Sequence, residues 1–218
     1  MRIYLLFSAL GDADPSDIRA VAAELAASTG SAARAVIHDP RILSGLARET
    51  ETDSAPPFAG VIELQSDGTD SELFAVMSKI LGGAPWINAA GSSVVVGSEF
   101  TVVPGDEPIM LAMALTRRDG MSADDFLRYW STTHADLGRQ VPGSEGYRQI
   151  HPDRSLTETA KQLLGFDGPQ FDGVAIACYS TDAAFRSVLA NTEVAGPLLE
   201  DERKFINHDL SAMVIGRL

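Results

Sequence analysis

The sequence predicts an α+β fold made of two βαββαβ repeats whose antiparallel sheets pack into a barrel. Three observations lead to this prediction: an internal repeat, the same order of elements in both halves, and a bare sheet face in each half. A Pro-Gly-Asp turn divides the chain, which gives repeats at 1–105 and 106–218.

The repeat appears as two separated matches at one offset. Residues 30–41 recur as 143–154, with Gly, Ser, Ile, His and Arg aligned, and residues 58–61 recur as 171–174. Two matches at one spacing argue against chance. Because a solenoid needs three or more units, two copies indicate a duplicated domain.

Each half has the same order of predicted elements. Strands are predicted from apolar runs of strand length, and each first helix begins at an Asp or Ser. In both halves the second strand ends at the shared histidine, His38 in the first copy and His151 in the second. The other predicted strands are 1–9, 58–64, 93–103, 109–116, 171–179 and 210–218, and the predicted helices are 14–28, 71–81, 122–137 and 181–190.

A βαββαβ unit covers one face of its sheet with two helices and leaves the opposite face bare. In a duplicated chain the two bare faces can pack on each other and enclose an interior, where a ligand would bind. Two inserts, 48–57 and 156–170, separate the second and third strands of the halves. We expect the first, which is charged and proline-rich, to be a mobile loop, and the second to be either a lid or a mobile loop.

Composition and charge limit the classes of partner. Of the 218 residues, 45% are apolar and 22% are charged, as in a globular protein. The net charge of −13 would repel nucleic acid and anionic membranes, so neither is an expected partner. The apolar N-terminal run is too short for a signal peptide or a membrane span, which predicts a cytoplasmic protein. Cys178, the single cysteine, is expected to be a small buried residue.

One histidine lies on the apolar face of a predicted helix. Phe126, Trp130, His134 and Leu137 recur at i, i+4, i+8 and i+11, so His134 faces the sheet or a cavity. A buried histidine needs only one donor and one acceptor partner, and such residues are more often structural than catalytic. Periodicity alone therefore leaves both roles open.

The pattern Phe126-x-x-Tyr129-Trp130-x-x-x-His134-Ala135-x-Leu137 resembles the EthD-like family of the dimeric α/β barrel superfamily. The positions of Tyr147 and His151 and the segment 198–207 add to the resemblance, which covers about half of the chain. It implies ferredoxin-like halves packed sheet to sheet, a pocket between helix and sheet, and no bound cofactor.

The sequence departs from the family pattern at three places. Asp136 stands where the family often has Pro, and Asn207 where it often has Asp. The first half has no Tyr-Trp-x-x-x-His element, so it is a degenerate repeat. We expect one competent pocket, in the second half.

The expected catalytic residues are His134, Tyr147 and His151. Tyr147 and His151 are four residues apart on one predicted strand, so they share a face and would approach His134 from the sheet if that face is the inner one. A histidine can take or give a proton near neutral pH, and a tyrosine can stabilise an oxyanion. The expected substrate-binding residues are Phe126, Tyr129, Trp130 and Phe205.

These residues, together with the family resemblance, suggest a cofactor-independent lyase, decarboxylase or isomerase that acts on a hydrophobic aromatic or polyketide-like small molecule. The alternatives are a ligand-binding or stress-related barrel without turnover, and a structural duplicate whose cavity is filled by its own side chains. Four scattered histidines and the absence of paired cysteines and of glycine-rich nucleotide motifs predict no metal, haem or flavin. A homodimer is plausible, because outer strands remain as edges.

Overall fold

The computed structural model describes residues 1–11, 14–44, 58–68 and 71–218. The strands are β1 (Arg2–Phe7), β2 (Ala32–Ile37), β3 (Gly60–Gln65), β4 (Ser93–Val103), β5 (Ile109–Leu115), β6 (Tyr147–Pro152), β7 (Gly173–Tyr179) and β8 (Ala212–Arg217). The helices are α1 (Pro15–Thr29), α2 (Ser71–Gly82), α3 (Ala123–Tyr129), α4 (Ala135–Gly138), α5 (Arg154–Leu164), α6 (Asp182–Ala190) and α7 (Thr192–Phe205), and a π-helical turn (Trp130–His134) joins α3 to α4.

The eight strands form one antiparallel sheet in the order β2-β3-β1-β4-β6-β7-β5-β8. The first half contributes β2-β3-β1-β4 and the second half contributes the same order, β6-β7-β5-β8. The halves join side by side through β4 and β6. At the other end the Asp39 amide donates to the Ile215 carbonyl at 2.7 Å, which brings β2 and β8 together. The predicted α+β barrel is confirmed, and its sheet is nearly closed.

Two glycines lie at the places where the halves meet. A Cβ atom on Gly97 would lie 2.2 Å from the His151 carbonyl oxygen, and one on Gly216 would lie 1.9 Å from the Ile37 carbonyl oxygen. Only glycine allows this close approach of two backbones. Because Gly97 approaches His151 as Gly216 approaches Ile37, His151 is the structural counterpart of Ile37. The sequence repeat aligned His151 with His38, so that alignment is wrong by one residue.

The strand pairing gives the reason for this shift. Val36 lies opposite Val61 in the first half, and Ile150 lies opposite Val174 in the second. β2 begins two residues after Gly30, whereas β6 begins four residues after the aligned Gly143. The sequence match therefore pairs residues of the same type rather than residues that share a position in the sheet.

The interior of the barrel is packed with side chains. They include Tyr4, Leu6, Val61, Met110, Val174 and Ile176. An eight-stranded barrel has an interior about wide enough for its own side chains to fill. The middle of the expected ligand space between the two sheets is thus occupied, and a polar cavity of about 220 Å³ lined by Arg34, Glu63 and Arg148 lies at one end of the barrel interior. The helices cover the outer face of the sheet.

The second predicted insert is a helix and not a loop or a lid. Asp153 caps α5 by accepting a hydrogen bond from the Leu156 amide at 3.0 Å, and Gly165 ends it with a positive φ of 69°. Ala160 and Leu164 of α5 pack into the apolar cluster of the first half. Insert length alone was a poor guide, because apolar side chains at helical spacing could bury themselves against the neighbouring repeat. The first insert, 48–57, lies outside the described residues.

Candidate active site

The helical segment that contains His134 is irregular just before that residue. The carbonyl oxygen of Trp130 accepts a hydrogen bond from the Ala135 amide five residues on, which makes this turn π-helical. Such turns are rare and often lie at functional sites. The Trp130 ring lies against β7, where a Cβ atom on Gly173 would come within 2.4 Å of it. The π-turn and Gly173 together set the position of Trp130 and of the residues that follow it.

His134 is paired with a carboxylate from α7. His134 Nδ1 lies 2.9 Å from Asp201 Oδ2, and the two residues are 7% and 2% exposed. Asp201 Oδ1 accepts hydrogen bonds from the Tyr129 hydroxyl at 2.5 Å and from Lys204 Nζ at 3.1 Å. Burial raises the pKa of the Asp201 carboxyl, but hydrogen bonds from Tyr129, His134 and Lys204 outweigh it and hold the pKa below its usual value. Asp201 is therefore ionised at neutral pH.

An ionised carboxylate is only an acceptor, so His134 Nδ1 carries a hydrogen and donates it to Asp201. The lone pair of a neutral imidazole is then on Nε2. No hydrogen-bond partner for Nε2 lies among the described residues. The ring of Phe205 packs against His134 with centroids 5.0 Å apart, and the ring of Tyr147 lies edge-on at 6.5 Å. This arrangement can accept a proton at Nε2 while Asp201 stabilises the charged imidazolium.

Three polar side chains of β6 face the helical segment. Tyr147, Gln149 and His151 alternate with Arg148 and Ile150, which point into the barrel. Tyr147 and His151 thus share a face as predicted, but it is the outer face of the sheet, under α3 and the π-turn. The predicted direction of approach, from the sheet toward His134, holds for Tyr147.

The Tyr147 hydroxyl is held by two neighbours. Its oxygen accepts a hydrogen bond from Trp130 Nε1 at 3.0 Å and one from Gln149 Nε2 at 3.1 Å. Burial raises the pKa of Tyr147, which keeps the phenol protonated at neutral pH. A protonated phenol close to His134 is suited to donate a hydrogen bond to a substrate oxygen.

His151 lies at a distance from the histidine–carboxylate pair. Its position on β6 is about 13 Å along the strand from Tyr147. Its Nε2 lies 3.1 Å from Gln149 Oε1, and its ring packs between Phe100 and Trp130 with centroids 5.7 Å and 5.4 Å away. Burial lowers the pKa of His151. The structure therefore brings His151 against Trp130 and not against His134.

The residues expected to bind substrate form the wall behind His134. Phe126, Trp130 and Phe205 are 0% exposed, and their rings pack on one another at centroid distances of 5.5–5.6 Å. Tyr129 lies at the edge of this wall and is partly exposed. The wall shields the His134–Asp201 pair from water.

Beside Tyr147 the sheet has small side chains. Ala177 pairs directly with Tyr147 across β6 and β7, so both side chains lie on the same face. Ala177 is partly exposed although two strands flank its own, as is Met113 on β5. Met113 packs against two separate apolar clusters, one under α3 and one under α6. Ala177 and Met113 thus leave a partly exposed apolar surface next to Tyr147.

Two residues of this site were not identified from the sequence. Asp201 lies on one helical stripe with Leu198 and Phe205, three and four residues away, so a carboxylate on a partly apolar stripe was the available signal. Gln149 lies midway between Tyr147 and His151, and strand alternation placed it on their face.

Four further expectations concern Cys178, His208, metal ligands and membrane-spanning helices. Cys178 is buried, as predicted, at 1% exposure. His208 pairs with Glu202 at 3.2 Å near the surface. Within the described ranges, no three His, Cys, Asp or Glu side chains cluster as metal ligands would. None of the described helices is long and apolar enough to cross a membrane.

Comparisons with known proteins agree with this fold. Residues 118–209 match the EthD domain family. A crystal structure of an anthrone oxidase-like protein aligns with a TM-score of 0.59 at 11% identity, over 99% of this chain and 90% of the other. A candidate monooxygenase from Lactobacillus acidophilus NCFM aligns with a TM-score of 0.51 at 10% identity, over 100% and 92% of the two chains.

A second candidate monooxygenase, from Fusobacterium nucleatum, aligns with a TM-score of 0.52 at 9% identity, over 100% of this chain and 91% of the other. At such identities the likeness establishes the fold and not the chemistry. No curated protein matches the sequence.

Proposed function

We propose that this protein is an acid/base enzyme acting on a hydrophobic aromatic or polyketide-like small molecule without a bound cofactor, and the match of residues 118–209 to the EthD domain family supports this proposal. The observation that supports the proposal most strongly is the His134–Asp201 pair. Asp201 orients the imidazole and leaves Nε2 without a partner among the described residues. A buried histidine with a purely structural role would be expected to use both ring nitrogens.

The proposed chemistry is proton transfer next to a carbonyl group. His134 Nε2 removes a proton from carbon, and the resulting imidazolium is stabilised by Asp201. The Tyr147 hydroxyl donates a hydrogen bond to the carbonyl oxygen, where negative charge develops. Return of the proton to a different atom completes an isomerisation. If a substituent on the neighbouring carbon leaves with its bonding electrons, the reaction is an elimination, catalysed by a lyase. In a β-keto acid, loss of CO2 would form the same enolate without removal of a carbon-bound proton, and protonated His134 would then supply the proton.

The side chains around this site favour an apolar substrate. Tyr129, Ala177 and Met113 offer mainly apolar contact surface beside the buried wall of Phe126, Trp130 and Phe205. His134 and Tyr147 are themselves buried, which strengthens their interactions with a developing charge. His151 contributes indirectly, through its contacts with Trp130 and Gln149.

The experiment is a screen for base-catalysed exchange of carbon-bound hydrogen. Aromatic ketones and β-diketone compounds are incubated with the protein in D2O, and loss of the signal of the hydrogen next to the carbonyl is followed by NMR. We expect exchange with the wild-type protein and a loss of about 10²–10⁴-fold in its rate with His134→Gln. Exchange at an equal rate in both proteins would refute the assignment of His134.

One observation favours a second function, a ligand-binding barrel without turnover. The complete burial of Phe126, Trp130 and Phe205 leaves only a shallow surface beside Tyr147. In that case the same compounds would bind, and no exchange would occur in any variant. A cytoplasmic location and a homodimer stay predictions.

A further inference from the structure

The orientation of the Gln149 amide is determined by a neighbour that can only accept. Gln149 is completely buried, and one of its terminal atoms lies 2.8 Å from the Trp130 carbonyl oxygen. A carbonyl oxygen accepts hydrogen bonds, so the atom facing it must be the Nε2 donor. The same nitrogen lies 3.1 Å from the Tyr147 hydroxyl. Gln149 Oε1 is left facing His151 Nε2, which therefore carries a hydrogen.

The orientation of Gln149 determines what Tyr147 can do. A tyrosine oxygen accepts at most two hydrogen bonds and donates one. Gln149 Nε2 and Trp130 Nε1 are both donors, so they fill both acceptor positions of Tyr147. The remaining capacity of Tyr147 is its own O–H, and no acceptor for it lies among the described residues. A nearly buried donor of this kind is free for an acceptor that a ligand can supply.

We infer that Gln149 is a positioning residue that, together with the Trp130 indole, holds Tyr147 as a hydrogen-bond donor, so that the site selects ligands with an acceptor oxygen beside His134. The inference rests on the proposed function for the location of the ligand. It adds the two residues, Gln149 and Trp130, that make the site select a ketone or another carbonyl compound. It also assigns a role to a buried glutamine that touches no reacting atom.

The direct test replaces Gln149 with glutamate, which has nearly the same shape. The carboxyl oxygen that replaces Nε2 can accept a hydrogen bond from Tyr147 and so draw the O–H away from the ligand. Tyr147→Phe removes the donor itself and serves as a second variant if Gln149→Glu folds poorly. Gln140→Glu is the matched control, because Gln140 is exposed in the loop after α4 and receives the same substitution.

The probes are two compounds with one ring skeleton, α-tetralone and tetralin. The ketone offers an acceptor oxygen, and the hydrocarbon does not. For the wild-type protein and Gln140→Glu we expect the ketone to bind roughly fivefold more tightly, the ratio expected for one net hydrogen bond. For Gln149→Glu and Tyr147→Phe we expect equal binding of the two, with the affinity for tetralin unchanged. If Gln149 had only a structural role, Gln149→Glu would weaken the binding of both compounds alike.

A second measurement needs no ligand. The chain has two tryptophans, so its ¹H–¹⁵N spectrum has two indole signals, which Trp86→Phe assigns. We expect Tyr147→Phe and Gln149→Glu to shift the Trp130 signal, and Gln140→Glu to leave it in place. An unchanged Trp130 signal in both variants would overturn the hydrogen-bond network on which the inference depends.

The outcomes for this inference and for the proposed function are separable. A ketone preference that depends on Gln149, without hydrogen exchange in the ketone, would support the inference and refute turnover. Exchange that depends on His134 but is indifferent to Gln149→Glu would support turnover and overturn the inference. Equal binding of the two compounds by the wild-type protein, or binding of neither, would overturn the proposed ligand class.

Discussion

The two halves of the barrel have the same strand order but differ in the chemistry of their outer faces. Asp14 caps α1 and Ser122 caps α3, and twelve residues after these caps stand Ala26 and His134. α1 is a continuous helix, whereas its counterpart contains the π-turn before His134. The first half therefore has Ala26 at the position where the second half has His134, although the strand order is the same in both halves.

A second difference is the connection to the last strand of each half, which follows α2 in the first half and α6 in the second. Isolated bridges join Ala9 to Ile87 in the first half and Arg117 to Ile206 in the second. α2 reaches its bridge through a short turn, but α7 intervenes before the second bridge and brings Asp201 to His134. The comparison shows that an added helix and an irregular turn are enough to place a polar pair on a duplicated framework.

The first prediction tests whether only the second half has a working site. His134→Gln should lower turnover by about 10²–10⁴-fold, because the proton-transferring group is lost, and should leave the thermal midpoint nearly unchanged. His38→Gln should leave turnover intact. Turnover and thermal midpoint are measured on the same preparations. An active but destabilised His134→Gln protein would end the catalytic assignment, and an inactive His38→Gln protein would place the site in the wrong half.

The second prediction concerns the carboxylate that α7 adds. Asp201→Asn should cost about 1.5–3 kcal/mol of unfolding free energy at pH 7, because the side chain loses its charge-assisted hydrogen bonds. The folded state holds the pKa of Asp201 below its ordinary value, so as the pH falls the unfolded chain takes up this proton first.

The stabilisation by Asp201 is thus fully present above about pH 4 and is lost at lower pH, as its folded pKa is passed. Chemical denaturation of the wild-type protein and Asp201→Asn between pH 7 and pH 3 should show the difference shrinking. Asp17→Asn, on an exposed position of α1, is the control. A difference that stayed constant to pH 3 would contradict the assigned hydrogen bonds.

The third prediction compares two equivalent glycines. A Cβ atom on Gly60 would lie 2.8 Å from the Val36 carbonyl oxygen, and one on Gly173 would lie 2.4 Å from the Trp130 ring. Gly60→Ala and Gly173→Ala should each cost about 1–3 kcal/mol through overpacking. Only Gly173→Ala should also lower turnover, because Trp130 must move and holds Tyr147. Urea unfolding measures the loss of stability in both variants, and a turnover assay measures the loss of activity. Equal losses of turnover would contradict the confinement of the site to one half.

The smallest effect is expected at His38, near the barrel closure. His38 Nδ1 accepts a hydrogen bond from the Ile215 amide at 3.4 Å, and burial lowers the pKa of His38 in the folded state. The unfolded chain then binds the proton first, so wild-type stability falls as the pH drops below about 6.5. His38→Gln should reduce this loss between pH 6.5 and pH 5. Identical pH profiles for the two proteins would show that His38 does not contribute.

The sequence was sufficient to predict the repeat, the order of the eight strands, the helices that both halves share, and the shared face of Tyr147 and His151. These features follow from local periodicity, which has a period of 2 in strands and 3.6 in helices. The capped helix with His134 on its inner stripe was predictable for the same reason. The insert that forms α5 was misjudged, because its burial depends on contact with the other repeat.

Only the tertiary structure decided which groups meet. Asp201 is 67 residues from His134 in the chain, and their contact depends on how α7 packs beside the π-turn. The one-residue shift between His38 and His151 depends on how the backbones of neighbouring strands pair. Similarity of sequence does not reveal this pairing. The use of Tyr147 as a donor depends on Trp130 and Gln149 together. Local patterns determine secondary structure, but hydrogen bonds between distant segments have geometry that no local pattern contains.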